Sequence, residues 1–201
     1  MTSIYLIRHG ETEWNKISKV QGQIDIELSE NGVRQAKSLA KRLSMEKIDA
    51  IYASNLKRAR QTAAIIAEYH KHEILEREDI REISLGPWEG LTVDEIRIKY
   101  SEHYRVYRED PFNFNMPGAE TFTKLADRTY NAIVSIVKEN TDKTIIVVSH
   151  GNAIKAAIMR ILDIDIKHYT KFRISNASIS VVNFYENGVA INSLNNTEHL
   201  R

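Results

Sequence analysis

The chain has 201 residues, 42% hydrophobic and 27% charged, which suffices for one domain with a sizeable core. Its 28 basic and 27 acidic side chains nearly cancel, which argues against an electrostatic nucleic-acid binder. The absence of cysteine excludes disulfides, zinc-thiolate sites, iron–sulfur clusters and a thiol nucleophile.

Residues 3–7 read as a first strand. It ends in Arg8, His9 and Gly10, so an apolar run delivers a guanidinium and an imidazole to one place. "SENGVRQAKSLAKRLS" follows with Val33, Ala36, Leu39, Ala40 and Leu43 at helical spacing and Ser29 placed to cap it. Residues 48–54 form a second short apolar strand. "NLKRARQTAAIIAEYH" then carries Leu56, Ala59, Ala63, Ile66 and Ala67 on one helical face. From about 80 to 120 the rhythm breaks. "GPWEG", a helical "TVDEIRIKY" and "YRVYREDPFNFNMPGAE" hold all three prolines, which predicts an insertion over the sheet edge. Regularity returns with a helix over about 121–139, a fully buried strand over 144–148, and a further amphipathic helix. "ASISVVNFY" and "GVAINSL" are closing strands around a turn at Asn187–Gly188. The alternation predicts a three-layer α/β sandwich: a mostly parallel sheet, helices on both faces and a small, largely helical lid within one domain spanning 1–201.

Two strands therefore end alike, in a polar residue, a histidine and a glycine: Arg8-His9-Gly10 and Ser149-His150-Gly151. In an open α/β sheet, ligands collect beyond the carboxyl ends of the strands. Arg8 adds a permanent charge suited to an oxyanion. The helix starting near Asn152 is expected to aim free N–H groups at the same ligand. Spacing alone does not separate a phosphate from a carboxylate.

"LIRHGETEWN" resembles the signature of the histidine phosphatase superfamily, in the branch that includes cofactor-dependent phosphoglycerate mutase. "SNLKRARQTA", "REISLGPWEG" and "VVSHGN" resemble three further blocks, in the expected order. The resemblance implies His9 as the nucleophile that accepts the phosphoryl group. It implies Arg8, Arg58 and His150 as grips on the phosphate oxygens, and Glu82 as general acid. Asn15, Gln21, Gly22, Gly151 and Asn152 are implied as substrate contacts. Helical periodicity does not itself prefer Arg58 to Arg60. A protonated His150 would add a third cation, and the cations would favour the neutral, attacking form of His9. No metal and no cofactor are required, because the arginines supply the charge.

"ISLGPWEGLTVDEI" after Glu82, and the Gln21-Gly22 pair, suit the phosphatase members, whereas Asn152 is a residue that mutases also carry. The expected activity is hydrolysis of a small phosphorylated metabolite through a phosphohistidine. A phosphoglycerate mutase is the alternative, and a non-catalytic phospho-ligand binder is the alternative of another class. Trp88, Tyr100, Tyr104, Tyr107, Phe112, Phe114 and Met116 are candidates for substrate choice, with packing of the insertion as the competing role for most. "HKH" (His70, Lys71, His72) reads as solvated surface, since i and i+2 diverge at a helix end. "DID" (163–165) reads as a helix-terminal turn, and no "GxxxxGK" loop is present. No apolar stretch reaches membrane-spanning length and no signal-peptide pattern is found, so a cytoplasmic protein engaging neither membrane nor nucleic acid is expected, with a homodimer left open.

Overall fold

A computed structural model describes residues 1–201. Six strands form one sheet in the order β3-β2-β4-β1-β5-β6: β1 (Thr2–Arg8), β2 (Ala50–Ser54), β3 (Ile74–Arg77), β4 (Thr144–Ser149), β5 (Ile179–Tyr185) and β6 (Gly188–Asn196). The first four are parallel, and β5 and β6 add an antiparallel hairpin beside β1. The β5–β6 connection is Glu186–Asn187, one residue before the turn expected from the sequence.

β4 explains the layers. Ile145 and Val147 face one side and Ile146 and Val148 the other, all fully buried, because strand side chains alternate. On the first side they meet α6 (Phe122–Glu139) and α7 (Gly151–Ile161); on the second, α2 (Glu30–Leu43) and α3 (Lys57–His70). Burying each such side chain contributes roughly 1.5–3 kcal/mol. Ser29 caps α2, its hydroxyl accepting from Gly32 N–H at 3.0 Å. The short helix α1 (Glu13–Lys16) and the edge strand β3 lack a periodic signature and were not anticipated.

The insertion is helical, with α4 (Val93–Lys99) and α5 (Ser101–Glu109), the second of which the sequence pattern did not reveal. It packs less on the sheet edge than on the neighbouring helices. Ile83, Leu85, Trp88, Ile96, Phe114 and Met116 join Phe122 and Leu125 of α6 and Ala153, Ala156 and Met159 of α7 in a third core. Trp88 lies 5.3 Å, centroid to centroid, from both Tyr107 and Phe114. Backbone bonds from Val20 N–H to Leu91 and from Gly90 N–H to Val20 stitch the loop after α1 to this lid.

Candidate active site

Register places the two histidines together. β1 and β4 pair in parallel with Arg8 opposite Ser149, and His9 N–H donates to the Ser149 carbonyl at 3.0 Å. Their rings follow at 5.1 Å between centroids, both buried. His9 Nδ1 lies 2.7 Å from the Gly10 carbonyl, which can only accept, so Nδ1 carries the proton and Nε2 keeps a free lone pair. Burial, reinforced by the Arg58 and Arg8 guanidiniums, holds His9 well below 6.5. Burial and the same arginines hold His150 well below 6.5 too, so the protonated His150 anticipated above gives way to a neutral ring. His150 Nε2 bonds Ser54 Oγ at 2.8 Å, and its Nδ1 is buried with no partner.

The choice between arginines on α3 resolves by burial. Arg58 is 1% exposed and donates to the carbonyls of Ile24 at 2.8 Å and Gly22 at 2.7 Å, whereas Arg60 is exposed and meets Glu76 at 3.4 Å. Lys57 is exposed as well and pairs with Glu27. Gly22 has φ +49°, and a Cβ there would collide with the Glu89 carboxylate, so this position needs glycine. Gln21 and Gly22 thus lie in the loop that holds Arg58, with Gln21 Oε1 buried and unpartnered. Burial pulls Arg58 down to about 10, and lowers Arg8 as well. Arg8 donates to the Ile174 carbonyl at 2.6 Å and packs against Gly151, where a Cβ would approach its guanidinium within 3.3 Å. The Nε atoms of Arg8 and Arg58 are both buried without a partner.

Glu82 takes two of the N–H groups at the start of α7 that were expected to await a ligand. Its Oε1 accepts from Ala153 N–H at 3.2 Å and Oε2 from Asn152 N–H at 3.3 Å, while Oε1 also accepts from its own neighbour, Ile83 N–H, at 2.9 Å. A carboxylate at a helix N-terminus is favourably placed. Arg81 does not pair with Glu82; it bonds Glu78 and Asn55. The Glu82 backbone is held from outside by Arg128 of α6. That side chain forks onto Glu120 at 2.8 and 2.9 Å and donates to the carbonyls of Asp79 and Arg81 at 3.0 and 3.1 Å.

Arg8, Glu82, Gly151 and Asn152 line one polar cleft of about 310 Å³, with Lys155, Arg173 and Asn176 also on its walls. The last three escaped the sequence reading. Lys155 stands one turn beyond Gly151 on α7, a signal that helical spacing carried; Arg173 and Asn176 sit in irregular chain before β5 and gave none. Asn176 ties the cleft together, its amide donating to the His9 and Gly10 carbonyls and to Asn15 Oδ1 at 3.1–3.3 Å. Asn15 also closes the capping box of α1 with Thr12. Asn152 accepts from Tyr169 O–H at 2.6 Å. Of the candidates for substrate choice, Trp88, Phe114 and Met116 are buried packing, Phe112 is exposed, and none lines this cleft. A larger groove of about 480 Å³, between the 163–166 turn and the outer faces of α6 and α7, contains none of the site residues. His72 Nε2 donates to the Ile48 carbonyl, and Asp163, at φ +54°, makes the turn that ends α7.

Residues 4–197 match the histidine phosphatase superfamily, branch 1. The chain is 38% identical over its whole length to phosphoserine phosphatase 1 of Hydrogenobacter thermophilus, covering 95% of that protein. It is 36% identical, again over its whole length and 84% of the relative, to a metal-independent phosphoserine phosphatase of Arabidopsis thaliana. The crystal structure of a histidine-to-alanine variant of Entamoeba histolytica phosphoserine phosphatase, in complex with phosphoserine, superposes with a TM-score of 0.90 at 36% identity and full coverage of both chains. The chain belongs to the histidine phosphatase superfamily and is a phosphoric monoester hydrolase. None of its helices is long and apolar enough to cross a membrane.

Proposed function

We propose that the protein hydrolyses small phosphomonoesters, phosphoserine foremost, by way of a phosphohistidine on His9 and without a metal, in the cytoplasm. One observation carries the reading. Arg8 Nε, Arg58 Nε and His150 Nδ1 are buried nitrogens without partners, on three residues that neighbour the His9 ring with its free Nε2 lone pair. Buried donors left unpaired call for a ligand, and a phosphate dianion would satisfy all three. The relatives' substrate supports phosphoserine as the first ester to test.

In the first step His9 Nε2 forms a bond to phosphorus as the ester P–O bond breaks. Glu82 gives its proton to the departing alkoxide, which is too basic to leave unaided. The two guanidiniums and the neutral His150 N–H stabilise the charge on the equatorial oxygens. In the second step water attacks phosphorus, Glu82 takes the water proton, the N–P bond breaks and phosphate departs.

Rapid acid-free quenching after mixing with radiolabelled phosphoserine should trap one acid-labile, base-stable phosphate on His9. Label on a serine, an aspartate or another histidine would overturn the mechanism. Turnover should persist in excess EDTA. Asn152 keeps the mutase alternative specific enough to test: stimulation by 2,3-bisphosphoglycerate, with isomerisation of phosphoglycerate outpacing phosphate release, would favour it. Absence of any phosphate release would favour the binder.

A further inference from the structure

The cleft carries more cations than a phosphate needs. Arg8 already stands at the phosphate position, yet Lys155 and Arg173 line the same cleft. Neither has an ion-pair partner. Lys155 rests its ammonium 3.9 Å from the Tyr169 ring centroid, and the nearby Glu82 oxygens are committed to three backbone N–H groups. Burial brings Lys155 down to about 8, opposed by Glu82 and reinforced by Arg8 and Arg108; a half-buried ammonium of this kind lacks a counter-charge. The first step has Glu82 in its proton-bearing form, so Arg8, Lys155 and Arg173 would leave the cleft still positive around a phosphate dianion.

Position adds the second constraint. Lys155 is four residues after Gly151, hence on the same face of α7 and about 6 Å, roughly one turn, along the helix from the residue that abuts Arg8. A ligand whose phosphoryl group sits at Arg8 would bring to Lys155 whatever group lies a short chain of bonds from its ester oxygen.

We propose that Lys155, with Arg173 at the rim, is a carboxylate subsite that makes the enzyme select phosphorylated hydroxy acids over phosphomonoesters lacking a carboxylate. The proposal rests on the phosphatase reading above and names what that site prefers. Tyr169 holds the ammonium over its ring and is itself fixed through Asn152, so the charge is pre-positioned.

Phosphoserine and phosphoethanolamine differ only by the carboxylate and provide the test. Binding of both is measured by calorimetry in a His9→Ala background, and turnover in the active enzyme. Phosphoserine should bind about 10- to 100-fold more tightly, the factor that a charge-assisted hydrogen bond carries. Lys155→Met keeps the stem over Tyr169 and should bring that ratio to within about threefold, chiefly through phosphoserine and, in turnover, through KM more than kcat. Lys155→Arg should restore most of the preference, which separates loss of charge from loss of packing. A ratio that Lys155→Met leaves unchanged, or that is near one from the start, would overturn the subsite. Failure of the phosphatase reading would look different: neither ester would release phosphate, while the binding ratio stayed intact.

Discussion

His9 and His150 share a cage of guanidiniums, and this sets how each titrates. Both are held below 6.5, first by burial and then by the arginines. Nitrogen-15 NMR of the ligand-free protein should therefore find both imidazoles neutral at pH 6.5, with Nδ1 protonated on His9. A charged His150 at that pH would contradict the cage. Arg58→Lys tests the cage from the other side. An ammonium cannot span the Gly22 and Ile24 carbonyls and still present an N–H to phosphate, so kcat should fall by about 10²–10³, as for other lost charge donors. Near-normal turnover would show that Arg58 does not touch the transferred group. Helical periodicity alone left Arg58 and Arg60 equivalent, and only the resemblance chose between them; in the structure the loop that folds over α3 at Gly22–Ile24 makes them different.

At the scale of elements, the union of Glu82 with the start of α7 decides what a mutation there does. Glu82 has two acceptor oxygens for three N–H groups, whereas glutamine has one acceptor and would turn an NH₂ toward a backbone donor. Glu82→Gln should thus lose about 1–3 kcal/mol of stability in urea unfolding, besides its chemical effect. Its phosphorylation rate with an alkyl phosphate should drop about 10²–10⁴-fold, and with p-nitrophenyl phosphate far less, since a phenolate needs no proton. Equal losses in single-turnover experiments would reassign Glu82 to holding α7 alone. Arg128→Met should reproduce the same leaving-group pattern more weakly, because it frees the backbone that carries Glu82. The strands and helices that bear His9, Arg58 and His150 were legible, since their faces alternate with periods of 2 and 3.6. β3 and α1 were not: four-residue segments carry no period. Nor was the bond between Glu82 and α7, which joins residues far apart in sequence.

For the whole molecule, two buried neutral histidines couple folding to pH. The unfolded chain, with ordinary imidazoles, binds more protons below 6.5 than the folded one, so stability must rise with pH there. Between pH 6.5 and the depressed folded values each histidine should remove up to about 1.4 kcal/mol per pH unit. Urea unfolding at pH 7.5 and 5.5 measures this, and a His9→Ala, His150→Ala double variant should flatten the difference. The sheet order has a separate consequence, for the chain as it leaves the ribosome. β1 occupies a central place, yet its neighbours β4 and β5 are translated well over a hundred residues later. At roughly 5–20 residues per second, the strand that bears the nucleophile waits on the order of ten seconds with both edges bare. A nascent chain stalled ahead of β4 would hold β1, α2 and α3 without the strand that joins them. Protease resistance in arrested chains should accordingly appear in one step once β5 has cleared the exit tunnel, and any phosphatase activity of the nascent chain should appear with it.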